Sequence, residues 1–191
     1  MKNRNSVKSS KTPPDALPKI VSFVGRSNSG KTTLLTQLIP KFDQLGLQFG
    51  MIKNTHHKVE FDQPGKDSWK YAQSGCQRVL VSSGQKLAVF SSQTKPPTLQ
   101  ELSKQWFQGF DLVISEGFKN EECFKIEVIR RENQKSPLYT DPGYQIDGVV
   151  GDCPPSSDLP YFTFDQLDDL VQWICRSLNL KPIVSNISSP Y

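Results

Sequence analysis

The sequence has few cysteines and no long apolar segment. Its 191 residues include four cysteines, and no two of them form a C-x-x-C pair, which argues against a disulfide framework and against a zinc ribbon. Because such a chain is typical of a reducing compartment, we expect a cytoplasmic protein. No apolar run approaches the roughly 18–20 residues that a membrane-spanning helix requires. The N-terminus also lacks the apolar stretch of a secretory signal, so we expect no membrane partner.

The excess of positive charge is confined to the N-terminal end. The chain carries 23 Lys and Arg against 19 Asp and Glu, but the first 19 positions hold five basic residues and one acidic residue. The remaining chain therefore has 18 residues of each sign, and a neutral body argues against a nucleic-acid-binding domain. We predict a disordered basic tail at 1–19, one domain at 20–178 and a C-terminal tail at 179–191.

Hydrophobic patterning predicts strands that alternate with helices. This alternation favours a three-layer α/β fold with a mainly parallel sheet. Consecutive strands without a helix between them predict an antiparallel extension at one edge. We expect Pro40 to bend or end the first helix, and 124–129 to be half-exposed because polar residues alternate there. The predicted strands are 20–24, 47–52, 79–82, 87–90, 111–115, 124–129 and 148–151, and the predicted helices are 33–45, 66–74, 98–107 and 165–178.

One motif carries specific chemistry. Residues 25–32 read G-R-S-N-S-G-K-T, which is the G-x-x-x-x-G-K-[ST] pattern of a phosphate-binding loop (P-loop), and it lies between a predicted strand and a predicted helix. Its backbone N–H groups and the helix N-terminus attract phosphate oxygens. We predict that Lys31 contacts the β- and γ-phosphates and that the Thr32 hydroxyl binds Mg²⁺. The residues predicted to bind the nucleotide here are Gly25, Asn28, Ser29, Gly30, Lys31, Thr32 and Thr33.

A carboxylate is expected beside this loop, to hold Mg²⁺ directly or through water. The predicted strand 111–115 is followed by Glu116, at the carboxyl end where α/β sheets bind ligands. We therefore predict that Glu116 is a second metal ligand and, with Lys31, a catalytic residue. The alternative is an ordinary glutamate in a surface turn. Asp111 lies at the opposite end of the strand, where a solvated cap is expected.

Both histidines of the chain follow the second predicted strand, within the segment K-N-T-H-H-K at 53–58. Adjacent side chains diverge, and no third Cys or His is near, so a transition-metal site is disfavoured. The segment is either an ordinary polar loop or part of an anion pocket formed by Lys53, His56 and His57. Three charged residues downstream are candidates for the same pocket: Asp62, Lys66 and Asp67.

The residue pattern resembles the molybdopterin-guanine dinucleotide biosynthesis adapter (MobB) family of P-loop NTPases. The matching stretches are colinear over about residues 20–178, and they are more specific than the P-loop alone. Asn54 and Arg26 depart from the family pattern and could alter what the pocket prefers. The six stretches are S-N-S-G-K-T-T-L-L-T-Q-L-I-P at 27–40, I-K-N-T-H-H at 52–57, P-G-K-D-S at 64–68, V-L-V-S-S at 79–83, D-L-V-I-S-E-G-F-K at 111–119 and K-I-E-V-I-R at 125–130.

The resemblance implies a dimeric protein that binds GTP with Mg²⁺ and hydrolyses it slowly. It implies a role in attaching GMP to molybdopterin, beside the molybdenum cofactor guanylyltransferase (MobA) and the molybdenum-insertion protein. In this interpretation His56, His57, Lys53 and Asp67 line the cleft beside the phosphates. The chain has no N-K-x-D stretch, so its residues alone do not predict the preferred base.

Two other functions are compatible with the residues. A small-molecule kinase or ATP-dependent synthase on the same fold would also use a P-loop beside a basic cleft. A non-catalytic interaction protein would instead use bound nucleotide as a structural ligand.

Overall fold

The structure is a computed structural model that describes residues 13–55, 59–133 and 135–182. They form two compact units, one made by the segments before Thr55 and after Pro97, and the other by Thr55–Pro97. We call the first the parallel unit and the second the hairpin unit. No helix among these residues is both long and apolar enough to cross a membrane.

The parallel unit contains six strands and three helices. Its sheet has the order β2-β5-β1-β6-β7-β8, and all five neighbouring pairs are parallel. The predicted α/β fold with a mainly parallel sheet is confirmed. The elements are β1 Lys19–Val24, α1 Lys31–Gln44, β2 Phe49–Lys53, α3 Leu99–Trp106, β5 Leu112–Glu116, β6 Phe124–Ile129, β7 Gly148–Gly151, β8 Tyr161–Phe162 and α4 Leu167–Ser177.

Apolar side chains pack on both faces of this sheet. Because successive strand residues point to opposite faces, Phe23 of β1 lies in a larger core with residues of α1 and α4 such as Leu38 and Ile174. Val24 lies in a smaller core with Val149. Burial of β1 between two cores fixes the position at which the P-loop begins.

The hairpin unit contains α2 Asp67–Gln73, β3 Arg78–Ser83 and β4 Lys86–Ser91. The two strands pair antiparallel, with Ser83 opposite Lys86, so the strands predicted at 79–82 and 87–90 form a hairpin. The antiparallel strands form a sheet of their own, and both edges of the six-stranded sheet are parallel. Several large apolar side chains of this unit are exposed, among them Leu80 at 58% and Leu87 at 62%.

One local prediction is wrong, and one strand was missed. Helix α1 does not end at Pro40 but continues to Gln44, and a bend at Pro40 stays a prediction. The segment 124–129 is buried instead of half-exposed, because Lys125 and Glu127 are both buried despite their charge. The short strand β8 pairs with β7, but its two residues are too few to produce a periodic pattern. A capping box begins α3, in which the side chains of Thr98 and Glu101 each accept from the other's backbone N–H.

Candidate functional site

The P-loop turns sharply between β1 and α1. Gly25, Asn28 and Gly30 all have positive φ angles, of 141°, 63° and 88°. A Cβ on Gly25 would lie 2.4 Å from the carbonyl oxygen of Val128, so the neighbouring strand leaves room only for glycine at this position. Left-handed residues in such a turn bring successive N–H groups to one side, which is the geometry of an anion-binding nest.

The ammonium group of Lys31 lies over this loop. Its Nζ donates to the carbonyl oxygens of Gly25 at 3.2 Å and Arg26 at 2.8 Å, and to Oγ of Ser29 at 3.4 Å. Burial lowers the pKa of Lys31, the negative charge of Glu116 opposes that shift, and the positive charge of Lys53 adds to it. Burial disfavours the charged form of Lys31, and the negative charge of a phosphate bound at the loop would offset this effect. The Lys31 ammonium is therefore suited to an anionic ligand.

Three elements bring Thr32, Glu116 and Lys53 together. Strand β5 lies between β1 and β2, so the last residue of β5 meets both the first turn of α1 and the end of β2. The Thr32 hydroxyl donates to the two carboxylate oxygens of Glu116 at 3.0 and 3.1 Å. Lys53 Nζ lies 3.2 Å from Glu116 Oε2. The Glu116 carboxylate is therefore held next to the P-loop.

The backbone around Glu116 is fixed by β1. The Gly117 N–H donates to the carbonyl oxygen of Phe23 at 3.0 Å, and Oγ of Ser22 donates to the carbonyl oxygen of Gly117 at 2.6 Å. Hydroxyl and carboxylate oxygens are the ligands that Mg²⁺ prefers, so the donor set of Thr32 and Glu116 fits that ion. The described residues contain no cluster of three or more His, Cys, Asp or Glu that could hold a metal. A Mg²⁺ ion here would need its other ligands from phosphates and water.

The remaining predicted residues are distributed differently. Thr33 is exposed on α1, where its carbonyl oxygen accepts from Oγ of Thr36. Asp67 opens α2 in the hairpin unit and lies 3.4 Å from Lys70. His56 and His57 lie outside the described residues, so their role stays a prediction. Asp111 accepts from the Gln48 N–H at 2.8 Å, as a capping residue would.

A segment after β6, made of the described residues 131–133 and 135–139, contacts the P-loop and was not predicted from the sequence. The Arg26 guanidinium donates to the carbonyl oxygen of Ser136 through Nε at 3.1 Å and Nη2 at 2.9 Å. The side-chain amide of Asn133 donates to the carbonyl oxygen of Ser27 at 3.4 Å. The only sequence signal for this neighbourhood is the stretch K-I-E-V-I-R, which ends where the segment begins.

Glu127 anchors the far end of this segment. Its side chain is fully buried, and its two carboxylate oxygens accept from the backbone N–H groups of Leu138 at 2.7 Å and Tyr139 at 2.9 Å. Burial raises the pKa of Glu127, while these two hydrogen bonds and the charge of Arg26 act in the opposite direction. Glu127 is therefore a structural carboxylate that holds the segment in position.

Comparison with known proteins finds similar sequences in one family. The family model "Molybdopterin guanine dinucleotide synthesis protein B" (MobB) matches residues 20–152. A molybdopterin-guanine dinucleotide biosynthesis adapter protein of Escherichia coli (strain K12) is 32% identical over 161 residues, covering 81% of this chain and 90% of the relative. The Haemophilus influenzae protein of the same name is 37% identical over 120 residues, covering 62% of this chain and 67% of its own.

Solved structures show the same fold. A crystal structure of molybdopterin-guanine biosynthesis protein B has a TM-score of 0.68 at 28% identity, covering 83% of this chain and 99% of that one. The Bacillus subtilis MobB structure has a TM-score of 0.67 at 24% identity, covering 84% and 98%. At the latter identity the likeness concerns the fold alone.

Proposed function

The chain belongs to the family of molybdopterin guanine dinucleotide synthesis protein B, and from this membership we propose that it is a GTP-binding adapter. In this proposal it assists the conversion of molybdopterin to molybdopterin guanine dinucleotide in the cytoplasm, with weak Mg²⁺-dependent GTPase activity. Its partners are the guanylyltransferase MobA and the molybdenum-insertion protein. Residues 20–178 form the nucleotide-binding domain, flanked by the two tails, and neither nucleic acid nor membrane is a partner.

The contact between Thr32 and Glu116 is the observation that carries this proposal. It brings a hydroxyl and a carboxylate together beside the loop of Gly25–Gly30, at 3.0 and 3.1 Å. These two side chains would hold Mg²⁺, which when bound neutralises part of the charge on the phosphate oxygens. The backbone N–H groups of the loop bind the phosphates, and Lys31 adds a positive charge at the same place.

The position of Arg26 gives a reason for slow hydrolysis in this proposal. Arg26, the arginine within the P-loop, donates twice to the carbonyl oxygen of Ser136. An arginine finger must be available to the transferring phosphoryl group, and it contributes about 10³–10⁵-fold to turnover. Because Arg26 is held by the carbonyl oxygen of Ser136, it is not available as such a finger, and the proposed turnover stays slow.

We also propose that the protein is a homodimer. A two-stranded hairpin is marginally stable alone, and β3 and β4 expose Leu80, Val81 and Leu87 at 58%, 40% and 62%. Strand addition between two copies would extend this two-stranded sheet and place the exposed apolar side chains of the two copies next to one another. Light scattering should give twice the monomer mass for the parent and half that value for Leu80→Glu, while Gln85→Glu in the turn between the strands serves as control. A monomeric parent would refute the dimer.

Nucleotide binding is tested by thermal unfolding with GTP, ATP and Mg²⁺. A ligand that binds only the folded state raises its stability by about 2.7 kcal/mol at a hundred times Kd. We expect GTP to stabilise the parent and Lys104→Ala, an exposed lysine of α3, but not Lys31→Ala. An equal response of Lys31→Ala would overturn the P-loop assignment. Turnover that depends on a small-molecule acceptor would instead favour a kinase or an ATP-dependent synthase.

A further inference from the structure

Arg130 is held in one orientation directly after β6. Its guanidinium carbon lies 3.9 Å from the centre of the Phe164 ring, and Nη1 lies 3.5 Å from Oδ2 of Asp152. Asp152 is itself fixed, because its other carboxylate oxygen accepts from the Arg131 N–H at 2.7 Å. The Arg130 side chain remains 39% exposed. A stacked and paired guanidinium loses little conformational freedom on binding a ligand.

This guanidinium faces the P-loop. A Cβ built on Gly30 would lie 3.4 Å from Nη2 and 3.5 Å from Nε of Arg130. Gly30 is the last residue before helix α1, so the charge of Arg130 lies beside the backbone that forms the anion nest. The ion pair with Asp152 uses the opposite nitrogen, Nη1.

The two nitrogens that face Gly30 have no hydrogen-bond partner within residues 13–55, 59–133 and 135–182. The side-chain interactions of Arg130 in this part of the chain are the ring contact with Phe164 and the ion pair with Asp152. A guanidinium has five N–H donors, so the edge that faces Gly30 is available to a ligand.

A cleft of about 670 Å³ adjoins these donors. It is shared by two P-loop residues and by side chains that follow β6, and two of the latter are cations while one is a carboxylate. Its volume exceeds what a phosphate group needs, so the cleft also has room for the group that bears the phosphate. The lining residues are Ser27, Asn28, Arg130, Glu132, Asn133 and Lys135.

We propose that Arg130 binds phosphate oxygens through Nε and Nη2 at this edge of the P-loop. The proposal rests on nucleotide binding by the P-loop and adds a residue to that site. The planar fork of a guanidinium matches two phosphate oxygens. The phosphate belongs either to the bound nucleotide or to a second phosphorylated ligand in the adjoining cleft, and the two sources share the same chemistry at Arg130.

Isothermal titration of Arg130→Gln, Arg130→Lys and Arg131→Gln tests this proposal. Arg131 is exposed and next in sequence, so its variant removes the same charge and is the matched control. The titrants are GDP, GTP and pyrophosphate, the last also added to protein saturated with GTP. We expect Arg130→Gln to weaken GDP and GTP binding at least tenfold when the nucleotide supplies the phosphate. When a second ligand supplies it, only pyrophosphate binding to the GTP-saturated protein is lost.

Arg130→Lys keeps the positive charge but lacks the planar guanidinium, so we expect it to lose less affinity than Arg130→Gln. If Arg130→Gln does not fold, Arg130→Lys is titrated in its place. Affinities of Arg130→Gln that match those of Arg131→Gln in all titrations would overturn the proposal. Failure of nucleotide binding itself gives a different result, in which the parent and Lys31→Ala both ignore GTP. Pyrophosphate binding to the nucleotide-free parent then still tests Arg130, and equal binding by Arg130→Gln would reject it.

Discussion

Two glutamates lie on the strands that flank β1, and their carboxylates have different surroundings. Glu116, on β5, accepts from the hydroxyl of Thr32 and pairs with the ammonium of Lys53. Glu127, on β6, accepts from the backbone N–H groups of Leu138 and Tyr139. Side-chain donors can rotate away when a cation arrives, whereas backbone donors stay in place as long as the chain is folded.

Position along the strand explains this difference. Glu116 is the last residue of β5, at the carboxyl edge of the sheet where α/β proteins bind ligands. Glu127 lies two residues before the end of β6 and pairs in register with Val24 and Val149, so it is surrounded by the sheet. The comparison predicts that Glu127 contributes to folding and that Glu116 contributes to ligand binding.

The largest expected effect is on stability, from Glu127→Ala. The substitution leaves the buried N–H of Leu138 and the half-buried N–H of Tyr139 without acceptors, and an unsatisfied buried donor costs about 1–3 kcal/mol. It also removes the anchor of the segment beside the P-loop. We expect the free energy of unfolding to fall by about 2–4 kcal/mol, measured by urea denaturation. The control is Glu132→Ala, at an exposed position. A loss equal to that of the control would contradict the anchoring role.

The next effect is on ligand binding, from Glu116→Gln. A carboxylate that holds Mg²⁺ supplies a negative charge that an amide does not replace. We therefore expect the gain in GTP affinity on adding Mg²⁺ to be at least about tenfold smaller in Glu116→Gln than in the parent. Titrations with Mg²⁺ and with EDTA measure this difference. The free energy of unfolding should change by less than about 1 kcal/mol, because the partners of Glu116 are partly exposed. Glu122→Gln is the control, and a large stability loss without a Mg²⁺ effect would reverse the assignment.

Sequence reasoning could predict Glu116 but not the role of Glu127. The motif at 25–32 fixes a local turn, and a carboxylate that follows an apolar strand beside it is a recognisable signal. Glu127 bonds to N–H groups 11 and 12 residues further along the chain, and backbone donors leave no mark in the sequence. The alternation of Lys125 and Glu127 with apolar residues therefore predicted an exposed face that the folded strand does not have.

Arg130 illustrates the same limit for the site. In the sequence it is only the last residue of a matching stretch, because its importance comes from contacts with Phe164 and Gly30, which are distant in sequence. Pro40 does not end helix α1 for a related reason. A helix whose interior side chains Leu34, Leu38 and Phe42 are buried gains more from packing than it loses at one missing hydrogen bond.

A smaller effect should appear in the pH dependence of Glu127→Gln. Because burial raises the pKa of Glu127, the folded state binds this proton more tightly than the unfolded chain does. Relative to the glutamine variant, the parent is therefore favoured below the unfolded pKa and loses that advantage as pH rises through the folded pKa. Unfolding measured from acidic to neutral pH checks it, and an advantage that grows with pH would contradict the sign.

The smallest effect on stability is expected from Lys53→Ala. The side chain of Lys53 is 59% exposed, so loss of its ion pair with Glu116 should change the free energy of unfolding by less than about 0.5 kcal/mol. Burial lowers the pKa of Lys31, and the positive charge of Lys53 lowers it further, whereas the negative charge of Glu116 raises it. The pKa of Lys31 should therefore rise in Lys53→Ala, and NMR titration of its side-chain carbons measures that shift, with Lys104→Ala as control. A stability loss of several kcal/mol would mean that Glu116, like Glu127, needs its donors for folding, and the two glutamates would no longer differ in kind.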